Sequence, residues 1–300
     1  MTQTPATPKP ARFRRLVTAA RLGPEALLQR DAGLQASERA ALALRPLTAN
    51  APPQKVVFLI PLVGRHHVGN WPATCARLMA TLSGLQRQSD GNWQAVICGQ
   101  DRPDGLPEDP RITFLPFTTE VAGNDKWRKL AQLCDHLAEL GPQAGYAMTF
   151  DADDLAHPEL VAEMMARGAA GGYLAQTGYI LDHRADTLAL AAPRSLSQPL
   201  RKPFWKLCGS CAALRFDLAN GQPEVDFLRE MSQHEHRMFP YLARLAGRPL
   251  TALAAPRVLY LLNHGENFGA RRGRVSFKTR FVQRFRVSDD SAIRKEFHLQ

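Results

Sequence analysis

The stretch from Tyr146 to Val161, YAMTFDADDLAHPELV, sets an apolar run against three aspartates, Asp151, Asp153 and Asp154, crowded into four positions. The run before them has the length and composition of a buried strand, and the Pro158 that follows suits the start of a helix. Spacing alone leaves two readings of the acids open. They form either an acidic turn that caps the next helix or a carboxylate pair at a strand end that holds a hard divalent cation.

Working outward, strand and helix patterns alternate. KVVFLIPL from Lys55 reads as a strand, WPATCARLMATLSGLQRQ as a helix with Pro72 in its first turn, and WQAVICGQD and RITFLPF as strands. NDKWRKLAQLCDHLAELG reads as a helix capped by Asn124 and closed by Gly141. Apolar strands separated by helices predict an α/β domain over 51–270, a Rossmann-like, mostly parallel sheet covered by helices. Ligands gather beyond the carboxyl ends of the strands in such sheets, which is where the aspartates fall. Downstream, PELVAEMMARGAAGG reads as a helix, GGYLAQTGYILDH as strand or hairpin, HEHRMFPYLARLAGRPL as a helix, and RVLYLLNHGEN as a strand.

The flanks differ in composition. Residues 1–12 are rich in Pro, Thr and Lys and are expected to be disordered, whereas 13–45 read as helix, and the prolines of TANAPPQ close this N-terminal extension, residues 1–50. The basic tail, 271–300, contains RVSFKTRFVQRFRV, which places Phe277, Phe281 and Phe285 on one helical face among Lys278, Arg280, Arg284 and Arg286. Such a helix packs on the main domain or rests on an anionic membrane.

With 300 residues, 45% hydrophobic and 22% charged, the chain can bury a large core. A net charge of +10 favours phosphate-bearing or polyanionic partners. Nucleic acid is not expected, because aromatics do not interleave with basic residues outside the tail. The longest apolar runs are far short of the roughly 20 residues a membrane span needs, and no secretory pattern opens the chain. The expected location is therefore cytoplasmic, with peripheral contact at the inner membrane face through the tail. Five cysteines do not make a disulfide framework. The pair Cys208 and Cys211 lacks a second CxxC for zinc and a preceding Trp for redox work, so it reads as small residues in a tight segment.

In their order, FLIPLVGR, VICGQD, FDADD, GSCAALRF, QHEHRMFPYLARLAGRP and LYLLNHGEN resemble the GT-A-type glycosyltransferases, in particular the inverting family-two group, from about Lys55 to Asn267. The resemblance implies a GT-A-like fold and a metal-dependent enzyme that moves a sugar from a nucleotide-sugar donor to a glycan or lipid-linked acceptor. It makes Asp151 and Asp153 the DxD pair that holds Mn²⁺ or Mg²⁺, with Asp151 also at the nucleotide and Asp154 helping through hydrogen bonds. The loop from Pro61 to Arg65 then lines base and ribose, Asp101 contacts the base, and Lys126, with Arg128 and Lys129, lies near the diphosphate. Glu235, and after it His236, is the candidate general base; a simple helix cap is the other reading of that cluster. His264 completes the metal shell, and Arg271, with Arg272 and Arg274 on a glycine-flanked lid, closes on phosphate. Two other functions stay open. One is a nucleotidyltransferase or phosphoesterase built on the same aspartates. The other is a non-catalytic relative that binds nucleotide-sugar or glycan, since HEHR lacks the family's Glu-Asp pair.

Overall fold

The computed structural model describes residues 3–265 and 275–299. The strands are β1 (Lys55–Pro61), β2 (Trp93–Gly99), β3 (Ile112–Pro116), β4 (Ala144–Thr149), β5 (Leu155–Ala156), β6 (Gly172–Leu174), β7 (Gly178–Asp182), β8 (Thr187–Ala191), β9 (Ala212–Asp217), β10 (Thr251–Ala252) and β11 (Val258–Leu262). The helices are α1 (Lys9–Arg30), α2 (Ala36–Leu44), α3 (Trp71–Gln86), α4 (Lys126–Asp135), α5 (Leu160–Arg167), α6 (Gln222–Ser232), α7 (Phe239–Leu245), α8 (Val275–Arg284) and α9 (Ser291–Glu296).

Seven strands form one sheet in the order β3-β2-β1-β4-β9-β6-β10, in which β9 is antiparallel to its neighbours and the other pairings are parallel. The unbroken apolar run Val56 to Ile60 is buried on both faces of β1, as a central parallel strand requires. Helices cover the sheet, giving the Rossmann-like α/β arrangement expected from the alternating pattern. From β1 the chain steps outward through β2 to β3 and then returns to the opposite side of β1 as β4. That reversal leaves a crevice between the carboxyl ends of β1 and β4, the place where open α/β sheets bind ligands.

A second sheet, β5-β11-β7-β8, stands beside the first. Periodicity could not reveal it, because GGYLAQTGYILDH supplies β6 to one sheet and β7 to the other. Helix α8 packs on β7, β8 and β11, and Phe281 and Phe285 are buried there. Two rings of the tail's aromatic stripe are thus used in packing, while Phe277 remains exposed. No helix among the described residues is long and apolar enough to cross a membrane.

Over residues 3–12 the expectation of disorder is corrected, and residues 1 and 2 lie outside the described residues. Helix α1 already begins at Lys9, and the Thr4 N–H donates to the Gln233 carbonyl at 3.0 Å. The order comes from polar contacts that composition cannot show. Glu38 on α2, fully buried, takes two hydrogen bonds from Arg15 at 2.7 and 2.8 Å, one from Thr7 at 2.9 Å and one from the Tyr241 hydroxyl at 2.7 Å. The helix read over 13–45 is broken by residues 31–35 and kinked at Gly23, whose φ of +83° is left-handed. The linker is anchored as well: Asp217 accepts from the Asn50 and Ala51 N–H groups at 3.0 Å, and Arg215 donates to the Ala51 carbonyl. The Arg-Phe of GSCAALRF therefore works at the end of β9 away from the crevice.

Glu38→Ala leaves Arg15 with one carboxylate, strands the Tyr241 hydroxyl and leaves Thr7 only its 3.3 Å bond to Gln35. Breaking a buried ionic cluster costs about 3–5 kcal/mol, and urea denaturation of the variant should show a loss of that order. A loss below about 1 kcal/mol would show that the extension is not held by this carboxylate.

Candidate active site

The last sheet rung before the aspartates is the Phe150 N–H donating to the Leu59 carbonyl at 3.0 Å. Beyond it the chain turns, with the Asp154 N–H reaching the Asp151 carbonyl at 3.1 Å. The buried Thr81 hydroxyl on α3 stands 3.0 Å from the Ala152 carbonyl and 2.8 Å from that of Asp154. The other bracket is Ser210, whose Oγ accepts from the Asp151 N–H at 2.8 Å and donates to Asp154 Oδ2 at 2.6 Å. Cys208 donates its thiol to the same carboxyl oxygen at 3.2 Å. Gly209 lies so close that a β-carbon there would stand 3.3 Å from Asp151 Oδ2. The CxxC segment is thus a cradle for the aspartate turn, with both cysteines buried and free.

The three aspartates divide their tasks. Asp154 is fully buried, and burial followed by the charges of Asp153 and Asp151 raises its carboxyl well above the usual range; it serves as the inner bracket of the turn. Asp151 Oδ1 meets Lys126 Nζ at 2.5 Å, and Asp153 Oδ2 meets His264 Nε2 at 2.6 Å. Burial works against the Lys126 ammonium, but Asp151, with Asp153 and Asp154, outweighs it and raises its pKa.

A cleft of about 280 Å³ opens at this point. Of the residues singled out in the sequence it gathers Pro61, Lys126, Asp151, Asp153, Glu235, His236 and His264. Glu235 and His236 arrive on a turn that sequence reads as continuous helix. Residues His236–Met238 form a single 3-10 turn, and α7 starts only at Phe239, with Pro240 in its first turn. Burial, then Arg237 and Lys278, push the His236 imidazole down to about 4, so the ring is neutral at ordinary pH. Its Nε2 is buried without a hydrogen-bond partner. His234 plays a structural part, since its buried ring meets the Ser37 hydroxyl at 2.7 Å and ties the turn to α2.

The other expected residues lie elsewhere. Asp101 and Arg65 are not in the cleft lining; Asp101 Oδ2 instead accepts the Arg65 N–H at 2.8 Å and shapes the short turn Arg65–His67. Arg128 is exposed and outside the lining. Lys129 points into the interior, where it pairs with Asp125 at 2.8 Å and donates to the Leu62 carbonyl at 2.6 Å, fixing the exit of β1. Burial lowers its pKa. Asn124 accepts from the Lys126 N–H at 3.1 Å, one residue outside the helix cap. Arg271, Arg272 and Arg274 lie outside the described residues.

Sequence reasoning missed Ser210, Thr81, Tyr260 and Lys278. The last two join the lining, with Lys278 Nζ donating to the Tyr260 hydroxyl at 2.9 Å. Among the described residues no group of three or more His, Cys, Asp or Glu is arranged to hold a metal ion by itself. Two carboxylates with an adjacent imidazole nonetheless suit a hard cation that shares its shell with phosphate oxygens.

No family model and no curated protein matches the chain. Among solved structures it is similar to 4-diphosphocytidyl-2C-methyl-D-erythritol synthase, with a TM-score of 0.33 and 17% identity over 76% of this chain and 100% of that one. A likeness of that size carries no argument about activity, which has to come from the cleft.

The neutral His236 has a consequence for stability. The unfolded ring takes a proton near pH 6.5, while the folded one resists protonation until about pH 4, so stability falls as pH drops through that interval. His236→Gln should remove up to about 2 kcal/mol of the loss between pH 7 and pH 5. Urea denaturation at the two pH values tests this, and an unchanged pH slope in the variant would contradict a neutral, buried imidazole.

Proposed function

We propose that the chain is a metal-dependent glycosyltransferase that passes a sugar from a nucleotide-sugar donor to a hydroxyl of a glycan or lipid-linked acceptor, with inversion. One observation carries this reading. A single cleft at the sheet's switch point holds a carboxylate pair suited to a nucleotide diphosphate and, from a distant segment, a carboxylate beside a neutral imidazole suited to taking a proton.

In this account Asp151 and Asp153, with His264 beside them, hold Mn²⁺ or Mg²⁺ against the donor. The cation supplies positive charge to a departing diphosphate. Lys126, already paired with Asp151, presents its ammonium to the same phosphate oxygens. Glu235 accepts the acceptor's proton as the hydroxyl oxygen bonds to the anomeric carbon and the bond from that carbon to the diphosphate breaks. His236 holds the neighbouring position and is the second candidate for the base. Asp154 and Ser210 take no part in the transfer; they keep the aspartate turn in place.

Incubation with nucleotide-sugars, Mn²⁺ and candidate acceptors should release nucleoside diphosphate at a rate that depends on the acceptor. Pyrophosphate release from a nucleoside triphosphate and a sugar phosphate would instead support nucleotidyl transfer, and binding without turnover a non-catalytic relative. Glu235→Gln should lower kcat by about 10²–10⁴-fold with little change in donor affinity. Normal turnover in Glu235→Gln, with His236→Ala folded, donor-binding and inactive, would give the proton to the imidazole.

A further inference from the structure

Arg15, Arg111, Arg167, Arg229, Arg248, Arg257 and Arg294 each meet a carboxylate within 4.0 Å. One group of cations on the cleft side lies close together without such a partner among the described residues. Lys206 and Arg237 line the cleft, and the Arg237 guanidinium donates to the Lys206 carbonyl at 3.3 Å, fastening the turn that carries Glu235 and His236 to the short 3-10 turn Phe204–Lys206. Lys202 lies just before that turn, with its ammonium 3.9 Å from the centre of the Phe277 ring. Arg194 is exposed, and its charge acts on both lysines. The charges acting on Lys202 and Lys206 are all positive. After burial, Arg237, Arg194 and Lys206 lower the pKa of Lys202, and Arg194, Lys9 and Arg237 lower that of Lys206.

Lys126, on the donor side, is paired with Asp151, whereas Lys206 and Arg237 in the cleft lining, and Lys202 and Arg194 near them, have no carboxylate within ion-pair distance among the described residues. Like charges held together repel, and a bound anion removes that cost. Arginine supplies a planar fork for phosphate oxygens, and lysines supply point charges around it. The position selects the substrate, because Arg237 directly follows Glu235 and His236, the pair that faces the acceptor hydroxyl in the transferase account.

We infer that Lys202, Lys206 and Arg237, with Arg194 at the rim, form a second phosphate subsite, which takes a phosphate ester carried by the acceptor and not the donor's diphosphate. The assignment to the acceptor rests on the transferase reading; the subsite itself does not. Leu196 and Leu200 are exposed in the segment that carries Arg194 and Lys202, so the headgroups of a bilayer are the competing source of phosphate.

The test measures inorganic pyrophosphate binding by calorimetry in EDTA, so that divalent metal does not contribute, in the wild-type protein and in Lys202→Gln, Lys206→Gln, Arg237→Gln and Lys126→Gln. A nucleoside diphosphate with Mn²⁺ serves as the control ligand. The first three variants should each weaken pyrophosphate binding tenfold or more and leave the control within twofold; Lys126→Gln should weaken the control more than it weakens pyrophosphate binding. Absent wild-type binding, equal affinity in those three variants, or a loss found in Lys126→Gln alone would overturn the subsite. Co-sedimentation with phosphatidylglycerol vesicles separates the sources. If the variants lose vesicle binding yet keep pyrophosphate affinity, the phosphate belongs to a lipid surface and the acceptor assignment falls. If the control ligand fails in every protein while pyrophosphate behaves as expected, the subsite stands and the transferase reading fails.

Discussion

The hydrogen bond from the Ser210 hydroxyl to the Asp154 carboxyl, 2.6 Å long and sealed from water, joins the two segments on which the cleft depends. Asp154 belongs to the turn after β4, and Ser210 to the segment that leads into β9, the antiparallel neighbour of β4. Burial raises the pKa of the Asp154 carboxyl, and Ser210 and Cys208 both donate to its Oδ2, while Oδ1 is buried without a hydrogen-bond partner. Because the same Ser210 oxygen accepts the Asp151 N–H, the bracket sets the backbone from which Asp151 and Asp153 project. The two outer aspartates face cationic or imidazole partners, while the inner one, its carboxyl pKa raised by burial, is part of the frame.

The opposite wall depends on a separate polar cluster. Glu38 gathers Arg15, Thr7 and Tyr241, and His234 meets Ser37, so the N-terminal extension holds the turn that delivers Glu235 and His236. The Thr4 N–H bonded to the Gln233 carbonyl brings the start of the described chain to the same place, and Gln3 reaches the cleft lining. The extension is therefore part of the site's construction. Its ordering follows from a few buried ionic and hydroxyl groups, each costly to leave unpaired.

Much of the architecture could be read from local patterns, because the main sheet is built from apolar runs that alternate with amphipathic helices and the aspartates fall where such sheets bind ligands. Lys126, Asp151, Asp153, Glu235, His236 and His264 were within reach of motif spacing and do share one cleft. What stayed hidden depends on contacts across long stretches of chain. Ser210 reaches Asp154 over 56 residues, and Tyr241 reaches Glu38 over 203. The same limit misled the reading of Lys129, a cation on a helix next to the site whose direction is decided by burial against Leu62 and Asp125. Asp101 is a related case: the structure gives it the nearby backbone of Arg65 as a partner, a contact that spacing does not show.

The central claim is that Asp151 and Asp153 hold a divalent cation against a nucleoside diphosphate at the switch point of the sheet. Titration of nucleoside diphosphates into the wild-type protein and Asp153→Asn, each with Mn²⁺ and with EDTA, addresses it most directly. The account predicts binding to the wild type that strengthens at least tenfold with Mn²⁺, and a folded Asp153→Asn that loses this enhancement. Affinities that are equal in all four titrations would contradict it.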